Sequence, residues 1–130
     1  MAGETDLAAM LAGLTVTMRP EPYTYVTVGQ APPLTDGVEA VLREEEGITA
    51  VVTVDGARRR GWTVGFVAAW LTLDVHSALE AVGLTASVAT ALAADGIPAN
   101  VLAGHHHDHL LVPADQADDA VACLARLAAA

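Results

Sequence analysis

An alternating strand pattern followed by a helical pattern, in residues 70–94, constrains the fold of this chain more than any other feature. Residues 70–76 alternate between apolar and polar side chains, which is typical of a strand with one buried face. From Leu84 an apolar side chain recurs every fourth residue, which predicts an amphipathic helix. The helix is expected to end near Gly96, because glycine is favoured just after a helix C-terminus.

The same region continues with two further strands and a second helix. Residues 97–103 predict a strand, and Pro98 indicates that this strand lies at an edge or begins there. Residues 104–107 then predict a turn, residues 108–112 a third strand that pairs back as a hairpin, and residues 115–127 a last helix. This β-α-β-β-α order predicts an α+β fold in which helices cover one face of an antiparallel sheet.

The first half of the chain shows a related pattern. Residues 23–28 predict a strand, residues 36–46 a helix, and residues 48–54 a β-branched strand. A helix, an acid-Gly-Ile sequence and a strand recur in residues 38–52 and 88–101, at an offset of 49 to 50 residues. A recurrence of this kind indicates two copies of one structural module.

Four short motifs in the second half keep a characteristic order: Gly83-Leu84, Gly96-Ile97, Asn100-Val101 and residues 108–112. This pattern resembles the ACT domain, in which a strand leads through a glycine-containing turn into a helix and a second strand. Residues 71–113 also resemble a bacterial subfamily of small, free-standing proteins with two ACT-like units, related to the regulatory region of aspartate kinase.

The resemblance implies two ferredoxin-like βαββαβ units in tandem, in residues 1–66 and 67–130. The chain ends soon after its last predicted helix, so a strand near residues 14–18 is expected to complete the second unit. ACT domains usually pair, and we therefore expect a homodimer.

The resemblance also implies a regulatory protein, not an enzyme, that binds a small molecule, an amino acid, where the strand-to-helix turn of one unit meets a strand of another. The positions that match these elements are His76, Ser77, Val82, Gly83, Leu84, Asn100 and Val101. Amides at a helix N-terminus favour a carboxylate, and the Asn100 side chain can both donate and accept hydrogen bonds. No cofactor is expected.

Four histidines in residues 105–109 allow three interpretations. His105, His107 and His109 would share a strand face if the strand began early, and imidazoles so placed can bind a metal ion. They could equally shape the hairpin or the ligand site, or act as general acids and bases. The enzyme alternative is a cofactor-free catalyst on paired ferredoxin-like folds, which the fold by itself does not exclude.

Charge and composition exclude several classes of partner. The net charge is −10, with sixteen acidic residues, six arginines and no lysine, so nucleic acids and anionic membrane surfaces are not expected partners. No apolar run approaches the ~20 residues that cross a bilayer, and the acidic N-terminus does not resemble a signal peptide. A cytoplasmic location is expected. Cys123 is the single cysteine and is expected to be buried, and residues 58–60 predict a solvated basic loop.

Overall fold

A computed structural model describes residues 6–75 and 83–130 of the chain. The chain forms two compact units. The first unit is Pro20–Ala68, and the second unit combines Met1–Arg19 with Ala69–Ala130. The domain limits predicted at residues 66 and 67 stay a prediction.

The described part of the chain contains helices and strands in both units. In order they are α1 (Leu7–Ala12), β1 (Val16–Met18), β2 (Tyr23–Val28), β3 (Val38–Glu44), β4 (Gly47–Thr53), α2 (Val54–Arg59), β5 (Ala68–Leu73), α3 (Leu84–Ala94), β6 (Asn100–Ala103), β7 (Asp108–Pro113), a 3-10 turn (Ala114–Gln116) and α4 (Ala117–Ala129).

The first unit is an antiparallel sheet in the order β3-β4-β2 with α2 packed on one face. Its core is small and mostly β-branched: Val26, Val38, Ala50, Val52 and Ala57. The helix α2 begins at a polar cap, because the Thr53 hydroxyl accepts a hydrogen bond of 3.0 Å from the Gly56 amide. Sequence patterns did not predict this helix.

The predicted helix over residues 36–46 is wrong, because Val38–Glu44 is the strand β3. It pairs with β4 as a hairpin that closes at Glu44 and Gly47. A register shift between Val38 and Ala40 interrupts the two-residue alternation that identifies a strand. The apolar residues therefore fall at helical spacing by coincidence, and the repeat drawn between residues 38–52 and 88–101 aligns a strand with a helix.

The second unit is a sheet in the order β1-β5-β7-β6, with α1, α3 and α4 packed on one face. Its core is larger and includes Met10, Leu71, Leu73, Leu110 and Leu124. The structure confirms α3, α4 and the strands near residues 70–76 and 108–112. β1 pairs antiparallel with β5 from Val16 opposite Leu73 to Met18 opposite Leu71, beside the strand that leads towards α3.

Together these features show an α+β fold consistent with two tandem ferredoxin-like units. Among the described residues, no helix is both long enough and apolar enough to span a membrane.

Candidate functional site

The start of α3 leaves backbone donors without a side-chain cap. Gly83 precedes the helix with φ of 103°, a left-handed conformation that glycine adopts without strain. Within residues 6–75 and 83–130, no side chain accepts a hydrogen bond from the first turn, whose amides have no partner within the helix. Leu84 is buried in the core and fixes the helix in place. Amides at a helix N-terminus are in general favourable to an anion.

An apolar side chain of α1 covers one side of this turn. A Cβ atom added at Gly83 would lie 3.0 Å from Cδ2 of Leu7. Leu7 packs against the core of the second unit, so its position is fixed by the fold. A ligand would therefore approach the α3 amides from a side other than that of α1.

Asn100 and Val101 lie on β6, the outermost strand of the second unit. Both are exposed, and 37% of the Val101 surface is accessible. The Thr85 hydroxyl lies 3.4 Å from an Asp108 carboxylate oxygen, and Asp108 pairs with Ala103, so the start of α3 is near the end of β6. Asn100 lies three residues back, roughly 10 Å along the strand. Asn100 is thus at the opposite end of β6 from the start of α3.

Three of the predicted ligand-binding residues, His76, Ser77 and Val82, lie outside the described residues. The prediction for these positions therefore stays a prediction.

The strand β7 begins only at Asp108, so His105 and His107 do not share a strand face with His109. The imidazoles of His105 and His106 pack against each other with ring centroids 4.9 Å apart, and the Gly104 amide donates to the His107 carbonyl at 2.9 Å. In the described part of the chain, no three metal-ligating side chains gather at one point. The hairpin is held by local contacts.

His109 is bound within the second unit by groups that its sequence neighbours do not reveal. Its Nδ1 atom lies 3.2 Å from the Trp70 indole nitrogen and 3.0 Å from the Thr72 hydroxyl. Because an indole N–H can only donate, Nδ1 must accept and the proton of the neutral ring lies on Nε2. Partial burial, followed by the positive charge of Arg19, lowers the pKa of His109.

The alternation of β5 was the signal that could have placed this cluster. Trp70 and Thr72 alternate along β5 with the core residues Ala69, Leu71 and Leu73, so they share the opposite face of the strand. The Arg19 guanidinium stacks 4.0 Å above the Trp70 ring. The result is a neutral imidazole held beside a cation, which favours a structural role for His109.

The basic residues 58–60 are not a free loop. They close the last turn of α2, where Arg59 donates to the Asp36 carboxylate at 2.8 Å and Arg60 donates to the Asp36 carbonyl at 3.0 Å. Cys123 is buried as expected, and burial raises the pKa of its thiol.

Comparison with known proteins agrees with this architecture. Family models described as "ACT domain" match residues 2–69 and residues 65–126. No curated protein matches the chain.

Several solved structures have a similar fold. A Vibrio cholerae protein of unknown function, described as a possible transport protein, is 38% identical with a TM-score of 0.84, and the match covers 94% of this chain and 95% of that one. An Agrobacterium tumefaciens protein is 19% identical with a TM-score of 0.67, covering 88% and 89%. The regulatory subunit of aspartate kinase from Thermus flavus is 10% identical with a TM-score of 0.60, covering 87% and 96%.

The aspartate kinase likeness, at this identity, concerns the fold alone. The family matches together span residues 2–126, and one of them covers more than half of the chain. ACT domains are typically regulatory ligand-binding domains. The chain belongs to the ACT domain family and carries two ACT domains in tandem.

Proposed function

We propose that this protein is a non-catalytic regulator that binds an amino acid at an interface between two ACT units. The observation that carries the proposal is the uncapped start of α3 at Gly83, in a chain whose family is typically regulatory and ligand-binding. The ligand carboxylate would accept from the first amides of α3, where the helix dipole also favours negative charge. Homodimerisation and a cytoplasmic location belong to the same proposal.

The second half of the proposed site is β6 of another ACT unit. Asn100 is at the end of β6 away from the start of α3, which supports a site in which the two elements meet where units pair. The exposed Asn100 amide would then bind the ligand's polar end. A ligand held by both units favours the paired state, and the resulting population shift is what a partner would sense.

Isothermal titration calorimetry with each of the twenty amino acids tests the proposal. We expect one of them to bind at millimolar concentration or below. Asn100→Ala should weaken that binding by about tenfold, since a tenfold change corresponds to about 1.4 kcal/mol, the scale of one hydrogen bond to a charged group.

The matched control is Gln30→Ala, which removes an exposed amide from the first unit. Sedimentation velocity should show a larger dimer fraction with ligand present. Absence of binding by all twenty amino acids, or equal affinities of the Asn100→Ala variant and the wild type, would contradict the proposal.

A further inference from the structure

The first unit contains a cleft beside β2 that no sequence pattern predicted. Its volume is about 440 Å³. The lining residues are Tyr25, Val26, Thr27, Gly61, Trp62, Thr63 and Gly65. This size falls within the ~300–1,000 Å³ typical of ligand pockets. The cleft thus lies between a strand and the connecting segment that follows α2.

One wall of the cleft is an unpaired strand edge. The Val54 amide donates to the Pro22 carbonyl at 2.9 Å, so residues of even number in β2 direct their backbone groups towards β4. Residues of odd number direct theirs the other way, and Tyr23 pairs on that side with Ala68. Beyond this pair, no backbone hydrogen bond joins Tyr25 or Thr27 to the described residues 61–67. Within the described residues, the amides and carbonyls of Tyr25 and Thr27 thus have no backbone partner on this side of β2.

The opposite wall of the cleft is the segment after α2, and two of its glycines have open space where a side chain would be. A Cβ atom added at Gly61 or at Gly65 would meet no atom within 4 Å. Trp62 is half-buried between them, with the Arg60 guanidinium 5.1 Å from the centre of its ring. The ring of Tyr25, which lines the cleft, has its centroid 6.4 Å from that of Phe66. Aromatic rings and bare backbone are surfaces against which a flat, extended chain packs well.

The lining decides which class of ligand fits. None of the residues that line the cleft is charged. An amino acid would find no counter-charge among the lining residues for its carboxylate or its ammonium group, which is costly. A peptide segment in the middle of a chain has only amide donors and acceptors, and these match the free edge of β2.

We propose that this cleft binds an uncharged, extended segment of a partner protein, which adds a strand to β2 at Tyr25 and Thr27. Main-chain hydrogen bonds would supply the affinity, and Trp62 would pack against one of the segment's side chains. This site is separate from the amino-acid site proposed at Gly83, and it gives the regulator a surface through which to act on its partner.

The test uses a synthetic peptide of about five residues, alternating Thr and Val and capped at both ends, titrated into the full-length protein labelled with ¹⁵N. We expect the amide resonances of Tyr25 and Thr27 and the indole resonance of Trp62 to shift. The same peptide with N-methylated amides should bind about tenfold more weakly or worse, because it has lost its donors.

A matched pair of glycine variants separates the cleft from general effects on folding. Gly65→Val places a side chain in the cleft, whereas Gly29→Val places one in open space outside it, and neither glycine has a left-handed φ. Gly65→Val should weaken peptide binding by about tenfold or more, while Gly29→Val should leave it within about twofold.

Three results would overturn the proposal. They are no resonance shift at millimolar peptide, equal binding of the N-methylated peptide, and shifts confined to residues outside the first unit. The Asn100→Ala variant should bind the peptide normally, so a failure of the amino-acid proposal would leave this result unchanged.

Discussion

Protonation of the second ring nitrogen of His109 would break the hydrogen bond that this nitrogen accepts from Trp70. Protonation of Nδ1 would place its N–H against the Trp70 indole N–H, at a separation of 3.2 Å between the two nitrogens. The nearby charges divide in sign. The positive charges of Arg19 and His107 disfavour protonation of His109. The carboxylates of Asp108 and Asp74 favour its protonation, but their effect is smaller than that of burial and Arg19. The folded chain therefore holds this imidazole neutral at a pH where an exposed histidine begins to protonate.

Acidification should consequently cost the protein stability through His109. Its folded pKa lies below its usual value of 6.5, so below that pH the unfolded chain binds the proton first. The contribution of His109 is present above 6.5 and is lost as pH falls towards the lowered pKa. We expect His109→Asn, which keeps an acceptor near Nδ1 but does not titrate, to lose less stability between about pH 8 and pH 5. Urea unfolding at both pH values measures this.

The matched control is Val101→Asn, at an exposed position of the same hairpin that carries no titratable group. It should follow the pH dependence of the wild type. If His109→Asn and the wild type lose equal stability on acidification, the hydrogen bonds to Trp70 and Thr72 do not hold the ring neutral.

At the scale of elements, the turn before β3 depends on a glycine for two reasons, its backbone conformation and its close packing. Gly37 has φ of 91°, and a Cβ atom there would lie 2.5 Å from the Thr53 hydroxyl oxygen. That hydroxyl caps α2. Gly37→Ala should therefore destabilise the protein by about 1–3 kcal/mol, since it combines backbone strain with a displaced cap.

Chemical denaturation checks this value against Gly29→Ala. Gly29 has an ordinary φ and open space around its Cβ position, so that change should stay within about 0.5 kcal/mol of the wild type. Equal stabilities of the two variants would mean that the turn relaxes without cost.

The elements that could be predicted from sequence are those with one continuous buried face. β5, α3, β7 and α4 each place regularly spaced apolar residues against a single core, so their period is visible. β3 could not be predicted because its register shift breaks that period. The six-residue helix α2 was missed because it depends on the Thr53 cap and on close packing at Gly56.

Part of the candidate site could likewise be predicted from the sequence, and part could not. The Gly83 turn was predictable because a glycine directly precedes a helical period. The contact between Leu7 and the Gly83 turn was not predictable, since it joins residues far apart in sequence. The cleft beside β2 depends on where residues 61–67 fail to pair, which is set by tertiary structure and not by local pattern.

At the scale of the whole molecule, negative charge is unevenly distributed. Of the sixteen acidic residues and six arginines, nine acids and two arginines belong to the second unit, and seven acids and four arginines to the first. The ion pairs of Arg59 and Arg60 with Asp36, and of Arg126 with Asp95, join partly exposed side chains. Pairs of this kind contribute about 0–1 kcal/mol each. With a net charge of −10, repulsion is therefore expected to outweigh these pairs in the electrostatics of folding.

Salt should stabilise this protein. Raising sodium chloride from about 0.01 M to about 0.15 M shortens the screening length from about 30 Å to about 8 Å, which weakens repulsion between distant carboxylates more than attraction within close ion pairs. The urea midpoint should rise over that interval. Glu45→Lys, at the exposed turn between β3 and β4, removes two units of negative charge and should show a smaller rise. If the urea midpoint falls with salt, the ion pairs around Asp36 stabilise the folded chain by more than net repulsion destabilises it.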